Sequence, residues 1–590
     1  MRSSLRLSAR FMIATAIATG AALMNQNGLA NDNAKPPTPT PTTANANKPA
    51  KTLIPVPVAA FNKTQILNTP KFQELRKILI DESVRTDLTI KDLNKVAIDD
   101  MPKIMRRERV AEVLKEAVKT KLAKPNIMAL TSHEISEDDL KKAVEAGVAQ
   151  PGIVAFVKAE LAKPAKPLSA REQVDYALMA MYSSVTPHDG YMPPKKAQEW
   201  LEALSATFVG IGVELNINDG KLLITEPIAN GPASKVGIKA GDIIIGIDNI
   251  DLTKLDPEEA IEKHLRGVEG SKATLKILRD NAPLSFDITR NPVKQRLVEY
   301  TMLDGGIAHF QVKHFGKGVA QELRERIAEA KADAKIDPVL SAKGGLKGVV
   351  LNFMYNPGGD LYEARQMADD FIDKEGFVVS TEGRDLAHNE ILRSKEGDVL
   401  NGLPMVVLVN ERSASASELV PNALQDHGRA IVMGTPTFGK GTVQTVRSGP
   451  DGSAIKITIA QFIRPSGTSN QLVGTIPDIM VDTKDAEYEE QRKNARTERS
   501  LPNALKNERG QAEQAARTKF MCAPVSPDAV VPESGRLKGI FNKEGKMNPY
   551  VACARDYLLK KADATYASPY TVTTPYQAPV APAAAPRPNS

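Results

Sequence analysis

Three runs of consecutive apolar residues, Gly348-Val-Val-Leu, Met405-Val-Val-Leu-Val and Ala430-Ile-Val-Met, constrain the fold of this chain more than any other feature. A strand with one face in water alternates apolar and polar residues, whereas a continuous apolar run needs cover on both faces. A largely parallel sheet with helices packed on either side meets that need, and helical segments do separate the runs. The expected core is therefore α/β. At 590 residues the chain exceeds what one hydrophobic core serves, so several domains are expected.

The flanks differ in texture. Residues 64–166 carry helical periods such as Phe72, Leu75, Ile78 and Leu79, then Val110, Val113, Leu114 and Val118, with breaks at Pro125, Pro151 and Pro164. Between Phe208 and Arg290 short β runs take over: Val213-Glu-Leu, Leu222-Leu-Ile-Thr, Ile243-Ile-Ile-Gly-Ile and Ala273-Thr-Leu-Lys-Ile-Leu. One helix interrupts them, with Asp256 as N-cap, Pro257 in the first position and Glu259 completing a box-like cap. Residues 31–63 are largely Pro, Thr, Ala and Asn, and 568–590 are Pro- and Ala-rich; neither buries enough apolar surface to order itself, so a linker and a disordered tail are expected.

The first thirty residues hold Arg2, Arg6 and Arg10, an apolar run from Phe11 to Met24, and small residues at Gly28-Leu29-Ala30. This is the pattern of a secretory signal peptide, since the run is shorter than the roughly 20 apolar residues a spanning helix needs. No later segment is apolar enough to span. Export, most naturally to a bacterial periplasm, places Cys522 and Cys553 in an oxidising compartment, where they are expected to form a disulfide. A net charge of +6, from 77 basic and 71 acidic residues, argues against nucleic acid as a partner.

Chemistry concentrates in Asn410-Glu-Arg-Ser-Ala-Ser-Ala-Ser-Glu418 and Phe438-Gly-Lys-Gly-Thr-Val-Gln444. Ser415 follows a buried strand and precedes a helix, where unpaired amides favour negative charge, so the Ala416 N–H is a candidate oxyanion donor. Ser415 and Glu418 also fit a capping box, and on those residues alone the nucleophile and the cap are equally good readings. Lys440, between Gly439 and Gly441, breaks the tie, although a surface or phosphate-binding lysine has the same spelling. At its ordinary pKa of about 10.4 a lysine cannot accept a serine proton, and burial must lower it by roughly three units. If the strand continues through Lys440, Gln444 shares a face with it and is placed to orient the amine. Asn356-Pro-Gly-Gly359 is either a plain turn or the source of a second oxyanion amide, from Gly358 or Gly359. His427 ends the same helix that Ser415 begins and is out of its reach. His309 and His314 are not spaced for one helical face, no His-Glu-x-x-His motif occurs, and no metal or cofactor is expected.

These pieces, with Thr186-Pro-His-Asp-Gly-Tyr191, Gly210-Ile-Gly-Val-Glu214, Ala423-Leu-Gln-Asp426 and Pro477-Asp-Ile479, closely resemble the carboxyl-terminal processing peptidases, or tail-specific proteases, over residues 167–484. The resemblance implies Ser415 as nucleophile, Lys440 as general base, Gln444 as its support, and Ala416 with Gly358 and Gly359 as the oxyanion hole. It also implies a PDZ domain at 209–291, whose Gly210, Ile211, Gly212 and Val213 receive a substrate's terminal carboxylate while its backbone adds to a strand. The family usually has Asp and Arg where this chain has Asn352 and Met354, which weakens local support for the Asn-Pro-Gly-Gly loop.

The expectation is a multidomain α/β protein: signal peptide (1–30), linker (31–63), N-terminal helical domain (64–166), helical segment of the core (167–208), inserted PDZ domain (209–291), parallel-sheet peptidase core (292–484), C-terminal helical extension (485–567) and tail (568–590). Its implied function is a Ser-Lys endopeptidase acting on proteins with exposed C-termini, with room for an adaptor, for gating by the PDZ domain and for a homo-oligomer. The alternative from another class is a non-catalytic scaffold that uses the PDZ groove to hold partners.

Overall fold

The computed structural model describes residues 53–481, apart from 133, 219–220, 256, 343, 396 and 450, and then 492, 495–507, 520–523, 547–562 and 571–572. The expected signal peptide, the expected linker up to residue 52, the expected Asp256 cap, nearly all of the expected tail and much of 485–567 lie outside the described residues.

Helix α1 (Pro70–Glu82) begins with proline in its first turn, where a missing N–H costs nothing. Helix α2 (Ile90–Lys119) is capped by Thr89 Oγ1, which accepts the Asp92 N–H at 3.1 Å. Helix α3 (Ala170–Ser183) starts in a Ser169–Glu172 capping box. Phe72 and Leu75 of α1, Leu93 and Met101 of α2 and Leu178 and Tyr182 of α3 share one apolar cluster with Ile455 and Ile457 far along the chain. The first half of the N-terminal helical region is thus packed as part of the core. Its second half, from Val110 onward, closes a separate cluster with the helices Glu137–Glu145 and Ile153–Ala162.

After α3 come β1 (Gly190–Met192) and β2 (Thr207–Gly210). An antiparallel sheet follows, built from β3 (Val213–Asn218), β4 (Lys221–Pro227), β5 (Ile243–Ile247), β6 (Lys272–Arg279) and β7 (Ala282–Thr289), in that order across the sheet. Strand β8 (Asn291–Lys294) then pairs back on β2, from Thr207↔Lys294 to Gly210↔Asn291, so entry to and exit from this unit form one two-stranded neck.

Beyond the neck lie β9 (Val298–Leu303), β10 (Ile307–Val312), α4 (Val319–Ile336), β11 (Gly348–Asn352) and α5 (Leu361–Asp369). They are followed by β12 (Gly376–Gly383), β13 (Ile391–Ser394), β14 (Met405–Val409), α6 (Ala416–Asp426) and β15 (Ile431–Gly434). Strands β16 (Thr442–Ser448), β17 (Ala454–Ile463), β18 (Ile479–Val481) and β19 (Phe520–Ala523), helix α7 (Pro549–Ala562) and β20 (Thr571–Val572) complete the described chain.

The central sheet has the order β9-β10-β11-β14-β15-β18-β19-β20 and is parallel from β10 to β19, with only its outer strands antiparallel. Every residue of β11 and β14 is buried, as their apolar runs require. Val349, Leu351, Val407 and Val432 face α4, α5 and α6 through Leu323, Met367, Leu419 and Val420. Val350, Val406, Leu408 and Met433 point the other way and are covered by Val551, Ala554 and Leu558 of α7. A second, antiparallel sheet, β1-β17-β12-β13, carries β16 on the other edge of β17.

Cys522 of β19 and Cys553 of α7 form a disulfide across 31 residues, tying the covering helix to the sheet. A loop of that length restricts the unfolded chain by about 3–4 kcal/mol in chain-entropy terms. Reducing it should lower stability by about 2–4 kcal/mol, read as a drop in the thermal unfolding midpoint with reductant; an unchanged midpoint contradicts the anchoring role.

Candidate active site

Three loops leave the C-terminal ends of the adjacent strands β11, β14 and β15, the edge where open α/β sheets collect polar chain. In the first, Asn356 is fully buried. Its Nδ2 donates to Val312 O at 3.0 Å, its Oδ1 accepts the Gly358 N–H at 2.9 Å, and its carbonyl accepts from Ser417 Oγ at 2.9 Å. The Asn-Pro-Gly-Gly turn is thereby pinned to the first turn of α6. Gly358 has φ +96°, and a side chain there would sit 2.9 Å from Ser415 Cβ and 3.0 Å from Ala416 N, so only glycine fits against the start of the helix. At the departure from the family pattern, Asn352 supplies support of its own: its Oδ1 accepts the Met354 N–H at 2.9 Å and its amide lies 3.1 Å from His309 Nε2.

The second loop delivers Ser415 with φ +60° and ψ −117°, a backbone state that costs a non-glycine residue on the order of 1–3 kcal/mol. The capping box forms, and its return bond runs from Ser415 N–H to Glu418 Oε2 at 2.6 Å. Ser415 Oγ also lies 3.3 Å from Lys440 Nζ. Cap and chemical partner, the two readings left open by the residues alone, coexist in one geometry.

The third loop turns at Gly439, φ +91°, and presents Lys440. Its Nζ is 2.7 Å from Gln444 Oε1 and 3.3 Å from Thr442 O. Gln444 sits on β16 at a register shift opposite Thr458, and its Nε2 donates to Thr442 Oγ1 at 2.9 Å, which turns its carbonyl toward the amine. Burial, reinforced by the positive charge of Lys456, pushes Lys440 down to about 8. An amine in that range has an available lone pair near neutrality.

Residue reading assigned Glu418 only to the cap, and the structure gives it more. It is fully buried, and both oxygens accept: Oε1 from Thr437 O–H at 2.5 Å and Gly439 N–H at 2.8 Å, Oε2 from Ser415 N–H at 2.6 Å and Lys440 N–H at 2.9 Å. Burial pushes its pKa up to about 7, but four converging donors suit the ionised carboxylate. Thr437 Oγ1 itself accepts from Thr475 N–H at 2.6 Å, which leaves its own proton for Glu418. One carboxylate thus fixes the spacing of the serine loop and the lysine loop.

The remaining sequence candidates lie apart from these loops. Gly210 ends β2 and Val213 begins β3; between them the carbonyls of Ile211 and Gly212 accept the Ala233 and Ile228 N–H groups at 2.8 and 2.9 Å. Cys522 and Cys553 lie under the α7-covered face of the sheet. His309 is buried in β10, where burial holds it neutral with a pKa of about 4. His427 Nε2 pairs with Phe377 O at 2.8 Å, away from Ser415. Asp426 and Asp478 are structural: Arg464 pairs with Asp426, and Gln425 Nε2 donates to Asp478 Oδ1 at 2.9 Å. Among the described residues no cluster of metal-ligating side chains occurs, and no helix is long and apolar enough to cross a membrane.

Comparison with known proteins places these loops in a family. The profile of peptidase family S41 matches residues 306–481, and that of the PDZ domain matches 209–289. A carboxy-terminal-processing protease of Bartonella bacilliformis is 36% identical over 313 residues, 52% of this chain and 69% of the relative. The carboxy-terminal processing protease CtpA of Bacillus subtilis is 32% identical over 53% of this chain and 64% of its own length, and a probable CtpA-like serine protease of Staphylococcus haemolyticus is 34% identical over 50% and 57%. A photosystem II D1 C-terminal processing protease superposes at a TM-score of 0.32 and 21% identity over 68% of this chain and 99% of that one, too loosely to bear on the fold. Sequence identity therefore carries the assignment: the chain belongs to the carboxy-terminal-processing proteases of peptidase family S41, with a PDZ domain between its first helices and its catalytic sheet.

Proposed function

We propose that this protease is an exported endopeptidase that takes substrate C-termini into its PDZ domain and cleaves through an acyl-enzyme on Ser415, with Lys440 as general base. The observation that carries the reading is the pairing of Ser415 Oγ with an amine whose pKa is about 8. At pH 7 about a tenth of such an amine is neutral, against about one part in 3,000 at a pKa of 10.5. A neutral amine has two N–H donors; Gln444 Oε1 and Thr442 O accept both, and its lone pair faces the Ser415 hydroxyl.

The amine takes the hydroxyl proton as Oγ attacks the scissile carbonyl carbon. The resulting oxyanion is met by the Ala416 N–H at the start of α6 and by the Gly359 N–H, since the Gly358 N–H is spent on Asn356 Oδ1. The ammonium then returns its proton to the leaving amine, and water releases the acyl group by the reverse sequence. Delivery of substrate falls to the loop Gly210-Ile-Gly-Val213, whose amides receive a terminal carboxylate while the peptide extends a sheet edge. The arginine-flanked apolar run at the N-terminus and the Cys522–Cys553 disulfide support export, most naturally to a periplasm.

Treatment with a fluorophosphonate should modify Ser415, at a rate that rises about tenfold per pH unit below 8 and levels above it. Mass spectrometry of the modified chain that finds another serine, or a rate flat from pH 6 to 9, overturns the reading.

A further inference from the structure

The stretch 495–507 lies beyond the S41 match at 306–481, yet it returns to the lysine loop. Glu498 in it is fully buried, and a buried carboxylate is costly unless every oxygen is matched. Oε2 meets His188 Nε2 at 2.6 Å, and Oε1 accepts from Gln471 Nε2 at 3.0 Å. Burial works against the charge, but His188 and Gln471 hold Glu498 below its ordinary range, while burial holds the imidazole neutral. His188 therefore donates Nε2–H to a carboxylate.

The loop is gripped from this residue on both sides of Lys440. The Glu498 N–H donates to Phe438 O at 2.9 Å, and Gln471, which Glu498 orients, accepts the Gly441 N–H through Oε1 at 2.8 Å. Glu418 grips the loop from the opposite side through the N–H groups of Gly439 and Lys440. His188 extends the hold to Gln444: the His188 N–H bonds Thr186 Oγ1, which pairs with Thr458 Oγ1 at 3.0 Å, and Thr458 Oγ1 accepts from Gln444 Nε2 at 3.3 Å.

We propose that Glu498 is a positioning residue for Lys440, so that the active site is completed by a segment outside the family's matched core and is closed by His188 from the region that follows α3. The inference rests on Lys440 as the base. The titratable groups in play are the neutral His188 and Lys440 near Glu498, with Glu418 and Lys456 also acting on Lys440.

Glu498→Gln keeps the size of the side chain and removes its charge. With a short peptide substrate, kcat should fall at least about tenfold with KM within about twofold, the signature of lost alignment, not lost binding. The acidic limb of the kcat profile should also move to lower pH, because the carboxylate no longer favours the Lys440 ammonium. A folded variant with wild-type kcat and an unmoved limb overturns the proposal. If Glu498→Gln does not fold, His188→Gln carries the same test, and wild-type kcat there overturns it equally. Fluorophosphonate modification of Ser415 in the unaltered protein separates the two readings: if it fails, the serine–lysine mechanism falls; if it succeeds while Glu498→Gln behaves as wild type, only this inference does.

Discussion

Ser415→Ala and Lys440→Ala should each lower kcat/KM for an unfolded protein substrate by about 10⁴-fold or more, because the proposed nucleophile and its proposed base act as a unit and removing either removes the step. Neither change should unfold the protein. Ser415→Ala gives up a cap worth about 1 kcal/mol, and the α6 start keeps the bonds that Ser417 O–H and Ala414 N–H donate to Asn356 O. Lys440→Arg is the sharper control. It preserves length and positive charge, but a guanidinium stays protonated in proteins and has no lone pair to offer. It should be as inactive as the alanine variant. Measurable cleavage by purified Lys440→Arg would exclude an uncharged amine as the acceptor.

Glu418→Gln should be the most damaging substitution that leaves the serine and the lysine in place. The amide has one oxygen where the carboxylate has two, and its NH₂ must point at two of four donors: either Thr437 O–H and Gly439 N–H or the N–H groups of Ser415 and Lys440. Two buried donors left without acceptors cost about 1–3 kcal/mol each, so stability in urea should fall by roughly 2–6 kcal/mol. Activity should fall further than folding alone explains, by at least about 100-fold, because either orientation of the amide releases one of the two holds that the carboxylate keeps on the lysine loop. Urea unfolding read beside kcat on the folded fraction checks both numbers; a Gln variant of wild-type stability would mean that Glu418 is not the hub described.

What the sequence made legible divides along range of interaction. The doubly covered strands were readable because burial on both faces is written locally, as Val349-Val-Leu or Met405-Val-Val-Leu-Val. The glycines flanking Lys440 and the capping residues after Ser415 are also local signs, and the structure brings their two loops together. A continuous strand would put Gln444 on one face with Lys440; instead Lys440 precedes β16 and a register shift falls at Val443/Gln444, yet Gln444 Oε1 still reaches the amine. What stayed illegible is what folding brings from afar. Three of the four donors to Glu418 lie 19–22 residues away, and His188 and Glu498 are separated by 310. Nothing in residues 547–562 announces that α7 roofs one face of the sheet, nor in α1 and α2 that their apolar stripe ends on Ile455 and Ile457. An apolar stripe states that it must be covered and leaves unsaid by what.

The neck formed by β2 and β8 has a consequence for descent. Because the two strands run into and out of the PDZ unit side by side, about 5 Å apart as paired strands are, the chain enters and leaves the unit through a single seam. A gene rearrangement can therefore lift it out, or exchange it for another recognition module, without re-threading any strand of the catalytic sheet. The protease sheet and the PDZ unit are in that sense separately heritable, and a lineage can revise the one while leaving the other alone.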